Sequence, residues 1–270
     1  MSPVTPTVLV TGASGGIGAA VAARFAADAT PGRPVRITLV DLRAAELAER
    51  AAELHERCPD ARVTTVVSDL TVPGAADDVI DPGDPPDVLV NAAGVYPARP
   101  LLEMTEQAWD RVQALNVRAP MALTVATGRA LAALGRPGAV VNISSGAATR
   151  ARPGAAHYCT SKAALEMLTR ACAVELGPLG IRVNAVAPGF VTVDSAVNPV
   201  SETYAAAVSA NPLGRRGVPG DITGAVHWLC GPDAGWVTGA VLRVDGGSTA
   251  GTTTLPLHWD GESDLQEGTG

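Results

Sequence analysis

Short apolar runs alternate with longer amphipathic segments along almost the whole chain. The first run, Thr7 to Thr11, is β-branched, too short for a helix and apolar on both faces, which is typical of a strand covered on both sides. An alanine-rich amphipathic segment follows through about Ala27, and strand and helix patterns then alternate about seven times without a linker or an internal repeat. The pattern predicts a single α/β domain with a doubly wound parallel sheet of about seven strands.

The domain is expected to span residues 1–250, followed by a polar and acidic tail at 251–270. The alternation weakens at 190–217, where a short helix-like run at 201–209 lies among prolines. A connection this long predicts a loop over the substrate. The substrate pocket is expected to be lined by this loop, by Tyr96 and by residues 146–157. Strands are expected at Thr7–Thr11, Val35–Val40, Val63–Val67, Val88–Val90, Gly138–Ile143, Ile181–Val186 and Ala240–Val244, and helices at 44–57, 105–134, 158–176 and 221–230.

A glycine-rich turn, Gly12 to Gly18, joins the first predicted strand to the first helix. Glycines let the backbone approach a pyrophosphate, and the helix N-terminus supplies amide donors and the positive end of its dipole. The strand–turn–helix context therefore predicts a dinucleotide site. Asp41, Asn91, Ser145 and Pro188 all lie at carboxyl ends of predicted strands, where such folds bind their ligands.

Asp41 ends the second predicted strand, about where this fold contacts the adenosine ribose. A carboxylate there accepts a hydrogen bond from the 2′-OH and repels a 2′-phosphate, and Gly15 leaves no cation inside the turn. Both features favour NAD over NADP, whereas Arg43 could meet a phosphate and favours NADP. Asp41 could also be only a turn residue at a strand end, and Asp69 could either touch adenine or cap the next turn.

Tyr158 and Lys162 are four residues apart, which places both side chains on one face of a helix. An ammonium beside a phenol favours the phenolate, so the tyrosine pKa is expected to fall and Tyr158 becomes a candidate general acid and base. Ser145, thirteen residues earlier, could reach the same phenol from the preceding strand. His157, next to Tyr158, could contact the substrate, but the preferred prediction is a solvated side chain beside the site.

Asn116 lies in the middle of the helix predicted at 105–134, where asparagine is a poor helix former. It should either bend the helix or hold a partner, and Pro120 supports a local break. Thr105 is the expected N-cap of this helix.

Composition excludes several classes of protein. A net charge of −7 argues against a nucleic-acid partner, and no apolar run of 18 residues is present to span a membrane. The four cysteines show no metal-ligand spacing, so no metal site is expected and reduced thiols in the cytoplasm are the simplest interpretation.

These residues together resemble the short-chain dehydrogenase/reductase family over about residues 5 to 250. The resemblance implies a Rossmann-type fold, a nicotinamide cofactor, a small alcohol or ketone substrate and a homotetramer, or else a homodimer. The motifs that carry it are Thr11-Gly12-x-x-x-Gly16-x-Gly18, Asn91-Ala92-Ala93-Gly94, Asn116, Ser145, Tyr158-x-x-x-Lys162, Pro188-Gly189 and Val244-Asp245-Gly246-Gly247.

The resemblance assigns a role to each catalytic candidate. Tyr158 is the general acid/base, and Lys162 lowers its pKa and binds the nicotinamide ribose. Ser145 hydrogen-bonds the substrate oxygen, while Asn116 holds the helix bend and a water in the proton path. Expected cofactor contacts are Gly12, Ser14, Gly15, Gly16, Ile17, Gly18, Asp41, Leu42, Asp69, Leu70, Asn91, Ala92, Ala93, Gly94, Tyr158, Lys162, Pro188, Gly189, Val191 and Thr192.

One position departs from the family. The threonine expected five residues after Pro188, where it would contact the carboxamide, is replaced by Val193, and Thr192 lies one residue early. The preferred hypothesis is an NAD-dependent oxidoreductase of secondary alcohols or ketones. Its alternatives are an NADP-dependent ketoreductase acting on carrier-bound or polyketide β-keto substrates and, from another class, a non-catalytic dinucleotide-binding regulator.

Overall fold

A seven-stranded sheet, parallel throughout, forms the centre of the protein. The computed structural model describes residues 6–193, 200–251 and 255. The strands are β1 (Thr7–Thr11), β2 (Val35–Asp41), β3 (Ala61–Val67), β4 (Val88–Asn91), β5 (Gly138–Ile143), β6 (Ile181–Pro188) and β7 (Val241–Val244).

Helices cover both faces of this sheet. They are α1 (Gly16–Ala26), α2 (Ala44–Arg57), α3 (Ala75–Val79), α4 (Glu106–Gln113), α5 (Ala119–Ala133), α6 (Ala156–Leu176), α7 (Glu202–Val208) and α8 (Pro219–Cys230). Within the described residues, no helix combines the length and the apolar character needed to cross a membrane.

The strand order is β3-β2-β1-β4-β5-β6-β7, so the chain reverses its direction of winding between β1 and β4. The predicted fold class is confirmed. Strands β1, β2, β4, β5 and β6 are buried along most of their length, and one apolar core lies on each side of them. Because both faces are covered, these strands are apolar runs rather than alternating sequences.

The helix predicted at 105–134 is interrupted in its middle. It starts after Thr105, whose Oγ1 accepts a hydrogen bond from the amide of Ala108 at 3.2 Å. Between α4 and α5 lies one turn of π-helix, Ala114–Arg118, with Asn116 at its centre. The asparagine thus marks the break, and the reason lies in its contacts at the functional site.

Candidate functional site

A cavity of about 390 Å³ opens at the carboxyl edge of the sheet, beside the switch point. Strands β4, β5 and β6 end at it, and α6 and α7 form part of its wall. Its lining includes Ile17, Ala92, Gly94, Tyr96, Ser145, Ala147, Arg152, Tyr158, Lys162, Pro188, Gly189, Phe190, Val191, Val193, Tyr204, Ser248 and Thr249.

The turn from β1 into α1 is built for close backbone approach. A Cβ on Gly18 would lie 2.2 Å from the carbonyl oxygen of Gly12, and Gly12 itself adopts φ +67° against the backbone of Ala93. The N-terminal turn of α1 carries no acidic residue, and its N-cap, Gly15, offers no side chain. The first amides and the positive dipole end therefore suit the pyrophosphate of a dinucleotide. Gly16 has φ +56°, and Ile17 reaches the cavity wall.

Asp41, at the end of β2, is tied to the glycine turn. One of its carboxylate oxygens accepts hydrogen bonds from the hydroxyl of Ser14 at 2.6 Å and from its amide at 3.2 Å. The guanidinium of Arg43 donates to the same Ser14 hydroxyl at 2.5 Å and lies 3.6 Å from the other Asp41 oxygen. The two residues that favour different cofactors thus form one hydrogen-bonded cluster beside Gly15.

The neighbouring strand end of β3 contributes Asp69 and Leu70. Asp69 is exposed, and its carboxylate accepts bonds from the hydroxyl and amide of Thr71 at 2.6 Å and 2.9 Å, so it caps the following turn. Leu70 is buried in the core, whereas Leu42 is 61% exposed beyond β2. The turn-capping alternative for Asp69 is therefore the one that this structure records; a contact with adenine stays a prediction.

The segment after β4 is fixed by polar side chains inside the sheet. Thr11 Oγ1 accepts bonds from the amides of Ala92 and Ala93, both at 3.1 Å. Asn91 Nδ2 donates to Asn142 on β5 at 2.9 Å, while its buried Oδ1 has no partner within the described part of the chain. These contacts hold the backbone of residues 92–94 against the cavity.

Asn116 joins the turn of π-helix to that same segment by hydrogen bonds. Its Oδ1 accepts from the amide of Val95 at 3.0 Å, and its Nδ2 donates to the Val95 carbonyl at 2.9 Å and to Ser161 Oγ at 3.0 Å. A Cβ on Gly94 would lie 3.3 Å from Asn116 Oδ1 and 3.6 Å from Lys162 Nζ. The small residue at position 94 therefore lets the amide and the ammonium approach the cavity floor together.

Tyr158 and Lys162 both lie on the buried face of α6, and Ser145 faces the same cavity from the end of β5. The expected fall of the Tyr158 pKa is wrong for the groups described. Burial raises the pKa of the phenol, and the shift is opposed by the Ser145 hydroxyl and the Arg152 guanidinium rather than by Lys162. The ammonium lies 5.8 Å from the ring centre and donates to the Ile143 carbonyl at 2.7 Å.

Lys162 is the single lysine among the 270 residues. It is buried, with 5% of its surface exposed, and loss of water around the ammonium lowers its pKa to about 8. Burial thus disfavours the charged forms of both members of the pair. The phenol and the amine lie in one cavity, and burial displaces their pKa values in opposite directions, upward for the phenol and downward for the amine.

Two further parts of the site were not singled out by sequence reasoning. Arg152 lies over the Tyr158 ring at 5.3 Å, and its position within 146–157 was the only signal of its role. Ser248 and Thr249 reach the cavity because Asp245 accepts hydrogen bonds from both side chains, at 3.3 Å and 2.5 Å. Gly189 makes this possible, since a Cβ there would lie 2.8 Å from the Asp245 Cα.

The structure also locates the doubtful positions. Thr192 is exposed and does not line the cavity, whereas Val191 and Val193 do, and Val193 packs 3.5 Å from the Cβ position of Gly16. His157 is fully buried, so the preferred prediction of a solvated neighbour is wrong. Neither of its ring nitrogens has a partner in residues 6–193 or 200–251, and burial lowers its pKa. Residues 194–199 of the substrate loop and most of the tail lie outside the described residues.

Comparisons with known proteins agree with this geometry. A family model described as enoyl-(acyl carrier protein) reductase matches residues 12–249. Galactitol 2-dehydrogenase (L-tagatose-forming) of Cereibacter sphaeroides is 38% identical over 244 residues, which cover 89% of this chain and 93% of that protein.

Solved structures give the same picture. One from Agrobacterium tumefaciens, with bound NADP, is 31% identical with a TM-score of 0.83, covering 93% of this chain and 98% of that one. A 3-oxoacyl-(acyl-carrier protein) reductase of Brucella melitensis, with bound NAD, is 31% identical with a TM-score of 0.80, covering 91% of this chain and 92% of that one. Similar folds therefore hold either nicotinamide cofactor.

Proposed function

This chain belongs to the short-chain dehydrogenase/reductase family, whose members act on CH–OH groups, and from that premise we propose that it transfers a hydride between NAD and a secondary alcohol or ketone. The observation that carries the proposal is the convergence of Ser145, Tyr158 and Lys162 on one cavity at the carboxyl edge of the sheet. The bound nicotinamide supplies the hydride acceptor or donor; the protein supplies orientation and proton transfer.

Tyr158 is proposed to move the proton of the substrate oxygen. Its phenol, held at the cavity wall, gives a proton to the oxygen during reduction and takes it back during oxidation. Ser145 donates a hydrogen bond to the same oxygen and stabilises the charge that develops there. Asn116 acts by position, because its amide holds both the backbone of Val95 and the hydroxyl of Ser161, which lies one residue before Lys162.

NAD is the proposed cofactor because Asp41 is the carboxylate at the ribose end of the site. Its hydrogen bonds with Ser14 leave it in place to accept from a 2′-OH, and its charge opposes a 2′-phosphate. The remaining proposed contacts run along the turn 12–18, the strand ends near 41–42 and 69–70, the segment 91–94, and residues 188–192.

The general acid/base role is tested by Tyr158→Phe. The variant should keep its affinity for NAD(H) in calorimetry and lose turnover by roughly 10²–10⁴-fold, which is the range for a lost proton-transfer group. Turnover is followed by the absorbance of reduced nicotinamide with a panel of secondary alcohols and ketones. Tyr204→Phe, which removes a different cavity hydroxyl, is the control and should lose far less; full activity of Tyr158→Phe contradicts the mechanism.

Cofactor choice is tested by Asp41→Ala. Wild type should bind NAD(H) more tightly than NADP(H) in calorimetry, and the substitution should narrow that difference because the repelling charge is gone. Arg43→Ala serves as the partner variant, since it removes the nearby cation and should leave NAD(H) binding in place. Tighter binding of NADP(H) by wild type would reverse the cofactor assignment.

The second candidate is an NADP-dependent ketoreductase of carrier-bound β-keto substrates. The Arg43 guanidinium beside Gly15 favours NADP, and the acyl-carrier descriptions of the matching family model and of the Brucella melitensis structure favour a carrier-bound or polyketide β-keto substrate, although that structure holds NAD. A non-catalytic dinucleotide-binding regulator is the third reading, and cofactor binding without turnover on any alcohol or ketone would support it.

We further propose a cytoplasmic homotetramer or homodimer. The four cysteines are unbonded, which fits a reducing compartment. Light scattering of the purified protein gives the number of subunits, and a monomer would contradict the proposed assembly.

A further inference from the structure

In the cavity, the Arg152 guanidinium contacts the ring faces of two tyrosines, Tyr158 and Tyr204. Its guanidinium carbon is 5.3 Å from the ring centre of the catalytic candidate Tyr158 and 5.5 Å from that of Tyr204 on α7. Tyr96 packs against the Tyr158 ring at 5.7 Å on the same wall. Two ring faces therefore fix the position of the cation, and Arg152 is half-buried where a substrate would meet the reacting phenol.

The Arg152 guanidinium has no carboxylate partner among the residues that the structure describes. Across residues 6–193 and 200–251, no ion pair or hydrogen bond engages the Arg152 guanidinium, although eight other arginines are ion-paired in that part of the chain. Among the described residues that line the cavity, the charged ones are Arg150, Arg152 and Lys162, all of them cationic. Arg150 donates to the carbonyl of Ser248 at 2.6 Å, and Lys162 donates to that of Ile143.

The cavity is thus a positive region in a protein whose net charge is −7. Such a local excess attracts anions against the field of the whole molecule.

We propose that the substrate of this site carries a carboxylate close to the carbon that is oxidised or reduced, and that Arg152 binds it. The inference rests on the proposed function and names its substrate class: hydroxy acids and the corresponding oxo acids. The planar fork of a guanidinium matches a carboxylate with two parallel hydrogen bonds. A monoanion also fits the single guanidinium that lies over the Tyr158 ring, whereas a phosphate dianion would call for a second cation beside it, and the Arg150 guanidinium is directed to the carbonyl of Ser248.

The test measures anion binding without turnover. Butanoate, its neutral analogue butanamide, and methyl phosphate are titrated against wild-type protein by ligand-observed NMR. Butanoate should bind more tightly than the other two. Arg152→Gln should weaken butanoate binding about 10- to 100-fold, the range for loss of a charge-assisted hydrogen bond, and leave butanamide unchanged.

Two companion variants separate a specific contact from a general field. Arg150→Gln removes one positive charge from the same cavity and should weaken butanoate binding far less than Arg152→Gln does. Arg152→Lys keeps the charge without the fork and should fall between wild type and Arg152→Gln. Circular dichroism and NAD(H) calorimetry confirm that each variant is folded and still binds the cofactor.

Several results would overturn the inference. They are equal losses in Arg150→Gln and Arg152→Gln, butanoate binding that is unaffected by Arg152→Gln, tighter binding of methyl phosphate, or no difference between butanoate and butanamide. Each is read from binding alone. A failure of the proposed oxidoreductase activity would instead appear as absent turnover with the anion site intact.

Discussion

At the scale of single residues, burial has a stronger effect on the titrating groups than the pairing that their spacing suggests. Tyr158 and Lys162 are one helical turn apart, yet the amine bonds a backbone carbonyl and the phenol meets Arg152 and Ser145 instead. Desolvation raises the pKa of the phenol and lowers that of the amine. In the protein itself, Arg152 is the cation that favours the phenolate.

The buried amine predicts a specific dependence of stability on pH. Its pKa is about 8 in the folded chain and 10.5 in a solvated one, so between these values the unfolded chain holds more protons. The free energy of unfolding of wild type, relative to Lys162→Met, should therefore rise as pH increases from 8 to 10, by at most about 1.4 kcal/mol per pH unit.

Urea denaturation from pH 7 to 10 measures this difference. Below pH 8 both states are protonated and the difference should be flat. Arg170→Met, on the exposed face of the same helix, should show no such trend. A constant difference between wild type and Lys162→Met across the range would mean that Lys162 titrates as a solvated lysine.

The sequence predicted where the site residues lie in the fold better than it predicted whether their side chains are buried. The polar residues at strand ends converge because carboxyl ends of parallel strands share one edge. The burial of His157 and the exposure of Thr192 depend on how the segments after β5 and β6 pack, which no local pattern encodes. Arg152 was predicted only as part of the lining segment 146–157, because an arginine in a loop is ordinarily a solvated surface residue.

At the scale of elements, the break between α4 and α5 is set by hydrogen bonds outside the helix. Asn116 satisfies both backbone groups of Val95 and one hydroxyl on α6, and the helix accommodates it with a turn of π-helix. Such bulges occur frequently at functional sites. The sequence predicted a break from Asn116 and Pro120, but only the partner at Val95 explains its form.

Asn116→Ala should lower the free energy of unfolding by about 2–4 kcal/mol. The substitution removes three hydrogen bonds and leaves the amide and carbonyl of Val95 without these partners in a part-buried position. Urea denaturation at pH 7 measures the loss. Gln107→Ala, at an exposed position of α4, is the control and should change stability by less than about 0.5 kcal/mol; an equally small effect at Asn116 would show that the bend forms without it.

Strands β1, β2, β4, β5 and β6 were predicted closely because they are apolar runs covered on both sides. β1, β5 and α2 have the predicted bounds, while β6 continues to Pro188 and β2 to Asp41. The extra residues pair in register with neighbouring strands, Pro188 with Val244 and Asp41 with Val67. Pairing partners distant in sequence set these ends.

At the scale of the whole molecule, the two edges of the sheet have different roles. The carboxyl edge holds the cavity, and at the amino edge polar side chains connect the sheet to the neighbouring helix and loop by hydrogen bonds. Arg182, near the start of β6, donates to the carbonyls of Leu229, Gly231 and Val237 at 2.7, 3.3 and 3.3 Å. It thereby closes the end of α8 and the connection toward β7.

Arg182→Met should therefore cost stability without changing the chemistry. The free energy of unfolding is expected to fall by about 1–3 kcal/mol, because carbonyl groups lose their donor. The kcat/KM of the folded enzyme should stay within about twofold of wild type. Arg62→Met, on the exposed edge strand β3, is the matched control for stability, and a loss of kcat/KM in Arg182→Met would mean that the two edges are coupled.

The solitary lysine has a practical consequence. Reagents that acylate or alkylate primary amines have one side-chain target in the entire polypeptide, Lys162, and it lines the cavity. Because its pKa is about 8, roughly a tenth of it is unprotonated and nucleophilic at pH 7, far more than for a solvated lysine. Amine-reactive labels small enough to enter the cavity and reach Lys162 should therefore lower the activity, and saturating cofactor should shield this side chain.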